Sequence, residues 1–236
     1  MVINKEILQS IISKYYLGGL CEAVKWNVVD KQITIHCVAP NKDMMGKIIY
    51  PFPLDDIDLA IFNTSQLNKL INITTGDLTV NIIESHGIAT KLSIADSQFK
   101  SVYSLADLMM VAKVGNVTEP KVWDVEISLN ETQILALIKA KKAMGDANHL
   151  VIEYDSLNSN IDFVFGEDSD YSNQITYSIP SATEINKTIK LSFNSDYIKE
   201  ILSANIEDGK LYLTQEGLMK LVFDNSVYYL IKKNEQ

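Results

Sequence analysis

The chain has 236 residues, of which 47% are hydrophobic and 22% charged, with 5 prolines and 10 glycines; this composition builds a sizeable core and excludes a disordered or fibrous protein. The formal net charge of −9 argues against a protein that coats nucleic acid by bulk attraction. No run approaches 18 consecutive apolar residues, and the start carries the charged pair Lys5-Glu6 within an amphipathic pattern, so neither a membrane span nor a secretory leader is expected.

In chain order, Ile3, Ile7, Leu8, Ile11, Ile12 and Tyr15 share one helical face over residues 3–15, leaving Lys5, Glu6, Gln9, Ser13 and Lys14 outward, with Gly18-Gly19 as the stop. Strand-like runs follow at 21–29, 31–39 and 47–54. Then "IDLAIF" leads into a short helix with Asn63 as N-cap and Gln66 as its capping-box partner, and strands resume at 78–84, 88–95 and 99–105. After a connecting stretch at 107–122, "VWDVEIS" predicts a strand, and residues 129–145 a helix capped by Ser128 with Glu131 and stopped at Gly145. Strands at 149–155, 160–165 and 174–179, "IKLSFN", a helix at 195–203, and strands at 210–214, 218–224 and 227–232 complete the pattern.

The second half repeats the first. "IFNTSQLNKLI" at 61–71 matches "SFNSDYIKEIL" at 192–202: with Asn63 set on Asn194, 131 residues apart, Phe62 falls on Phe193, Leu67 on Ile198 and Ile71 on Leu202. Downstream, Asp77 meets Asp208. The expected fold is therefore α+β, two similar domains of antiparallel sheets with two helices each, at 1–106 and 123–236, joined by a connector at 107–122. Hairpin-spaced strands disfavour a parallel βαβ design.

No catalytic or metal-binding motif stands out. His36, His86 and His149 form no H-x-x-x-H or Cys/His cluster, and there is no phosphate-cradling Gly-rich loop and no G-x-S-x-G elbow. The acidic groups Asp55-Asp56-Asp58 and Glu167-Asp168-Asp170 read as solvated turns, the second lacking the glycine and terminal glutamate of a calcium loop. Neither metal nor cofactor is expected. Cys21 and Cys37 are expected to be reduced, buried thiols of a cytoplasmic protein.

All 21 basic residues are lysine. Without the guanidinium fork the chain is poorly equipped to read base edges, yet lysine can supply sequence-blind attraction to phosphate. Every predicted helix carries at least one: Lys5 and Lys14, Lys69, then Lys139, Lys141 and Lys142, and Lys199. Lysine is also a good helix former that simply faces water, and spacing leaves both readings open.

The duplicated "FN…L..LI" helix with its three-strand meander, the phage-like segment "DLAIFNTSQLNKLI", the apolar connector and the final "SVYYLIKK" together resemble the sliding clamps, DNA polymerase processivity factors, of the two-domain type found in phages, archaea and eukaryotes. The resemblance covers essentially the whole chain. It implies a non-enzymatic homotrimeric ring, phage-encoded and acting in the host cytoplasm, whose helices face duplex DNA through Lys5, Lys14, Lys69, Lys139, Lys141, Lys142 and Lys199. It further implies subunit contact between the strands at 100–107 and 174–179, through Val102, Tyr103, Leu105, Ile175, Tyr177 and Ile179. The replicative polymerase and a clamp loader would be partners, with client peptides docking at Val38, Leu108, Met109, Met110, Val111, Tyr229 and Leu230. The competing reading is a duplicated α+β structural or assembly protein of a phage, with the lysines as solvent-facing charge.

Overall fold

The computed structural model describes residues 1–115, 117–155, 160–166, 172–180 and 188–233. Contacts divide the chain into one unit of Met1–Pro40 with Gly46–Gly115 and another of Asn41–Met45 with Asn116–Gln236. The expected connector is thus shared, its first part clustering with the first unit and its remainder with the second. No described helix is long and apolar enough to cross a membrane.

The first unit contains β1 (Val2–Asn4), α1 (Lys5–Tyr16), β2 (Val24–Val29), β3 (Gln32–Val38), all but the first two residues of β4 (Met44–Pro51), β5 (Ile57–Ile61), α2 (Thr64–Asn72), β6 (Asp77–Ser85), β7 (Ile88–Ala95) and β8 (Lys100–Ser104). Its strands run in the orders β1-β6-β7-β8 and β5-β2-β3-β4. The second unit repeats this with β9 (Val125–Leu129), α3 (Glu131–Ala143), β10 (His149–Asp155), β11 (Asn160–Gly166), β12 (Gln174–Pro180), β13 (Ile189–Asn194), α4 (Ser195–Ala204), β14 (Gly209–Leu213), β15 (Leu218–Phe223) and β16 (Ser226–Ile231). The corresponding orders are β9-β14-β15-β16 and β13-β10-β11-β12, with antiparallel registers.

In the first unit, α1 lays Leu8, Ile11, Ile12 and Tyr15 against a core centred on Trp26, whose ring meets Tyr15 and Phe52 edge-on at 6.5 and 5.9 Å. In the second, Phe163, Phe165, Phe193, Ile201 and Tyr228 are fully buried. Alternation along strands sorts these side chains inward, as in β2 and β15.

Among the described residues, all four α-helices start on an asparagine whose side chain accepts main-chain N–H bonds: Asn4, Asn63, Asn130 and Asn194. The matched pair Asn63 and Asn194 is therefore a matched pair of caps. The duplication continues at buried polar positions. Thr64 and Ser195 are fully buried, each hydroxyl donating to a carbonyl of a preceding loop, Glu22 and Ala147. Thr74 and Asn205 likewise close α2 and α4, their N–H groups donating to Ile71 and Leu202.

Three expectations shift. Residues 2–4 form β1 against β6 instead of the first helical turn, because pairing with Thr79, Leu78 and Asp77 satisfies that backbone. The capping box of α3 is Asn130 with Gln133, not Ser128 with Glu131, since Ser128 is still paired with Lys210 in the β9–β14 ladder. Helix α1 ends on Leu17 itself, at φ 48°, before the glycines. A left-handed leucine costs about 1 kcal/mol, and here its side chain is sealed in the core at 1% exposure, which offsets that cost.

Asn205 donates to the Ile201 carbonyl at 2.7 Å and to the Tyr228 hydroxyl at 3.2 Å, and accepts from Ser226 at 2.7 Å. Asn205→Ala removes three buried side-chain hydrogen bonds and is expected to cost about 2–3 kcal/mol, against about 1 for Thr74→Ala, which removes one; urea denaturation of the two variants measures the difference.

Candidate nucleic-acid and partner interfaces

The seven helix lysines do not share one environment. Lys69 on α2 and Lys139 and Lys142 on α3 are exposed. Lys5 is half-buried and donates to the Asn72 and Thr74 carbonyls at the end of α2. Lys199 on α4 is half-buried and ion-paired with Glu200. Lys14 and Lys141 are only 4% exposed, which corrects the expectation that Lys14 points outward. Lys14 follows Ile11 by three positions, so its stem lies at the packed margin of the apolar stripe. Lys141 spans α3 and α4, bonding Asp196 at 3.0 Å and the Gly145 carbonyl at 3.0 Å, as a buried ammonium requires. Periodicity separates apolar from charged residues and does not reveal which charges are used internally.

Among the described residues, both strands expected at a subunit boundary end their sheets: β8 in the first unit and β12 in the second. The Leu105 N–H donates to the Thr90 carbonyl at 2.9 Å, which sets the phase of the β7–β8 ladder. Main-chain groups of Ser101 and Tyr103 therefore bond to β7, and those of Lys100, Val102 and Ser104 face the open side. Val102 is 46% exposed. Beside it, Phe62, Gln66, Leu70, Leu105 and Ala106 line a recess of about 470 Å³. Phe62 is half exposed although its duplicate Phe193 is fully buried, so the two units diverge at this edge.

Tyr103, by contrast, faces inward at 5% exposure, its hydroxyl accepting from the Asn63 N–H at 3.0 Å and donating to the Asn63 carbonyl at 3.2 Å. It braces the cap of α2, and burial raises its phenol's pKa. On β12, Ile179 is buried while Ile175 and Tyr177 are half-buried.

Among the residues expected to meet client peptides, Met109 is 92% and Met110 63% exposed, on a short 3-10 turn capped by Asp107. Leu108 is also exposed, and Val38 and Val111 are half-buried. Leu108, Val111 and Val114 form one wall of a cavity of about 470 Å³, with Lys25, Asn27, Thr34 and His36 opposite, all in the first unit. Leu230 is corrected to a core position at 1% exposure, because adjacent residues of β16 face opposite sides; Tyr229 is the one that faces out.

A cluster in the second unit is absent from the sequence reading. Lys220 donates to both oxygens of Glu119 at 2.8 and 2.9 Å and lies over the rings of Trp123, Tyr212 and Tyr229. The Tyr229 hydroxyl also donates to Glu119. These bonds, that of Lys220 foremost, hold the Glu119 carboxyl below the usual range. The only sequence signal was the outward parity of Tyr212, Lys220 and Tyr229 on three successive strands.

The first acidic group serves structure: Asp58 accepts from Asn27 at 2.7 Å and pairs with Lys25 at 2.6 Å, and Asp56 accepts the Asp30 N–H. The second group, Glu167, Asp168 and Asp170, lies outside the described residues. Among the described residues no three His, Cys, Asp or Glu side chains are placed to hold a metal ion. Cys21 and Cys37 are free and buried.

No protein-family model and no curated protein matches the sequence. Solved structures do. Proliferating cell nuclear antigen from Entamoeba histolytica is 17% identical with a TM-score of 0.73, over 98% of this chain and 96% of that one. The structure of the C-terminal region of FEN-1 bound to A. fulgidus proliferating cell nuclear antigen gives 14% and 0.77, over 100% and 98%. DNA polymerase III subunit beta from Borrelia burgdorferi, in complex with a natural product, gives 12% and 0.70, over 100% of this chain but 64% of that one. The chain has the DNA-clamp fold. Within that fold it matches the proliferating cell nuclear antigens end to end, and about two thirds of the bacterial beta subunit.

Because the Glu119 carboxyl is depressed in the folded chain, its grip is complete above the ordinary glutamate range and is lost as pH falls through the depressed value. Carboxyl-carbon NMR should show Glu119 titrating below ordinary glutamates, and Lys220→Met should return it toward them.

Proposed function

We propose that the chain is a sliding clamp: copies join edge to edge into a closed trimeric ring around duplex DNA and tether a replicative polymerase for processive synthesis. The observation that carries this reading is the end-to-end match of a duplicated two-unit chain to proliferating cell nuclear antigen structures. The role is mechanical and not catalytic. Two units here and the two-thirds span of the bacterial beta subunit chain favour a six-unit ring made of three copies.

Closure is assigned to β8 of one copy meeting β12 of the next, with Val102 and the recess around Phe62 and Leu70 receiving the half-buried Ile175 and Tyr177. Such pairing removes two open edges that otherwise invite indiscriminate association. Contact with DNA is assigned to Lys69, Lys139 and Lys142, with Lys5 and Lys199 contributing less because they are engaged within the chain. A closed ring is held by topology and needs only weak, sequence-blind attraction, which lysine supplies and which the net charge of −9 does not contradict. The exposed Met109 and Met110, adaptable and apolar, are assigned to docking of the polymerase, and the ring would be placed on DNA by a clamp loader.

Sedimentation of the native protein should give a species of three chains of 26.5 kDa. Val102→Pro removes an N–H that faces away from β7, so it should reduce the mass to one chain while leaving the fold intact; Val102→Lys serves as a second test, and an unchanged mass in both rejects the edge assignment. The triple variant Lys69→Glu, Lys139→Glu, Lys142→Glu should keep the native mass and lower stimulation of long-product DNA synthesis about tenfold or more. Full stimulation rejects the lysine assignment.

A further inference from the structure

Lys220 lies in the middle of β15, directly opposite Tyr212 on β14 and Tyr229 on β16. Its ammonium is 5.7 Å from the Tyr212 ring centroid and 5.8 Å from those of Tyr229 and Trp123. At 17% side-chain exposure this cation has given up most of its water. Three ring faces repay part of that loss, but a desolvated ammonium also needs a carboxylate. The sheet does not supply it at this point. Glu126, the nearest acid of β9, is taken by Lys210 at 2.8 Å and receives the Tyr212 hydroxyl at 3.4 Å. The partner of Lys220 comes from outside the sheet, from Glu119 in the stretch that precedes β9.

Five residues later the same stretch is tied down again. The Asp124 N–H donates to the Leu213 carbonyl at 2.9 Å, and its carboxylate accepts the Gln215 N–H at 2.8 Å. Between these two anchors Lys121 and Val122 are exposed, Val122 at 75%. Upstream of Glu119, among the described residues 117–118, no hydrogen bond to the sheet is seen.

We propose that Lys220, inside its box of Trp123, Tyr212 and Tyr229, is a latch for Glu119 that fixes the path of the second part of the connector. Lys220 and Tyr229 are positioning residues: they act through Glu119. Opening the latch leaves an ammonium enclosed by rings with no counter-charge, so the closed state is favoured by more than an exposed ion pair would supply. On the clamp reading proposed above, a connector whose second part is already fixed at Glu119 has less freedom to lose when a client docks at Met109 and Met110.

Trypsin tests the latch without any client, so the result stands whether or not the clamp reading does. Two connector lysines are available: Lys121, beside the latch, and Lys113, in the part that belongs to the first unit, which serves as an internal control. Brief digestion of the full chain, read by intact mass, gives the ratio of cleavage after Lys121 to cleavage after Lys113. Lys220→Met keeps the bulk and removes the charge, and should raise that ratio about tenfold as the open population grows. Lys220→Arg keeps a cation that stacks on aromatic faces and should retain the native ratio. An unchanged ratio in Lys220→Met overturns the latch. So does an equal rise in Lys220→Arg, or faster cleavage at both sites, since either would mean general loosening of the fold.

Discussion

An antiparallel sheet that does not close on itself must end in a strand with half of its main-chain groups turned outward, and this constraint organises the molecule. In the first unit the sheet that begins at β1 ends at β8; in the second the sheet that begins at β13 ends at β12. Around β8 the chain adapts to the open side. Ser101 and Tyr103 are drawn inward, Lys100, Val102 and Ser104 are left outward, and Phe62 is released from the core position that Phe193 keeps. The edge-to-edge closure proposed above would use this side of the sheet.

The duplication is recorded more faithfully in polar residues than in apolar ones. Apolar positions exchange freely, Leu67 for Ile198 and Ile71 for Leu202, because any branched side chain of similar volume fills the site. The polar positions keep their task. Asn63 and Asn194 both cap a helix, Thr64 and Ser195 both bond back to a loop carbonyl, and Thr74 and Asn205 both terminate a helix from a fully buried position. A buried donor or acceptor has few acceptable partners, so its geometry is harder to replace than a hydrophobic contact.

This explains what the sequence made legible. Element order and the repeat could be read because periodicity and the Asn63 cap are local signals, and strand ends differ from expectation by only a residue or two for most elements. Boundaries failed where a distant partner decides: β1 exists only because β6 is there to pair with it, and Ser128 stays in a strand because Lys210 holds it. The candidate surfaces were legible by type but not by residue. Lys141 looks like any other helix lysine until Asp196 is brought against it, Leu230 and Tyr229 differ only in parity, and Tyr103 is claimed by Asn63 forty positions away. Glu119 and Lys220 are separated by 101 positions, and no local pattern relates them.

The two cysteines carry a practical consequence. Cys21 and Cys37 sit at 3% and 1% exposure, and the Cys21 thiol is already committed to the Val38 carbonyl at 3.3 Å. The hydrogen bond with the adjacent Cys21, and then burial, push the Cys37 thiol's pKa up, away from the reactive thiolate. The folded surface is therefore chemically silent toward maleimides and other thiol reagents. A single cysteine introduced at an exposed site would be the one reactive handle per chain, so dyes, spin labels or crosslinkers could be attached without first removing a native residue from the core.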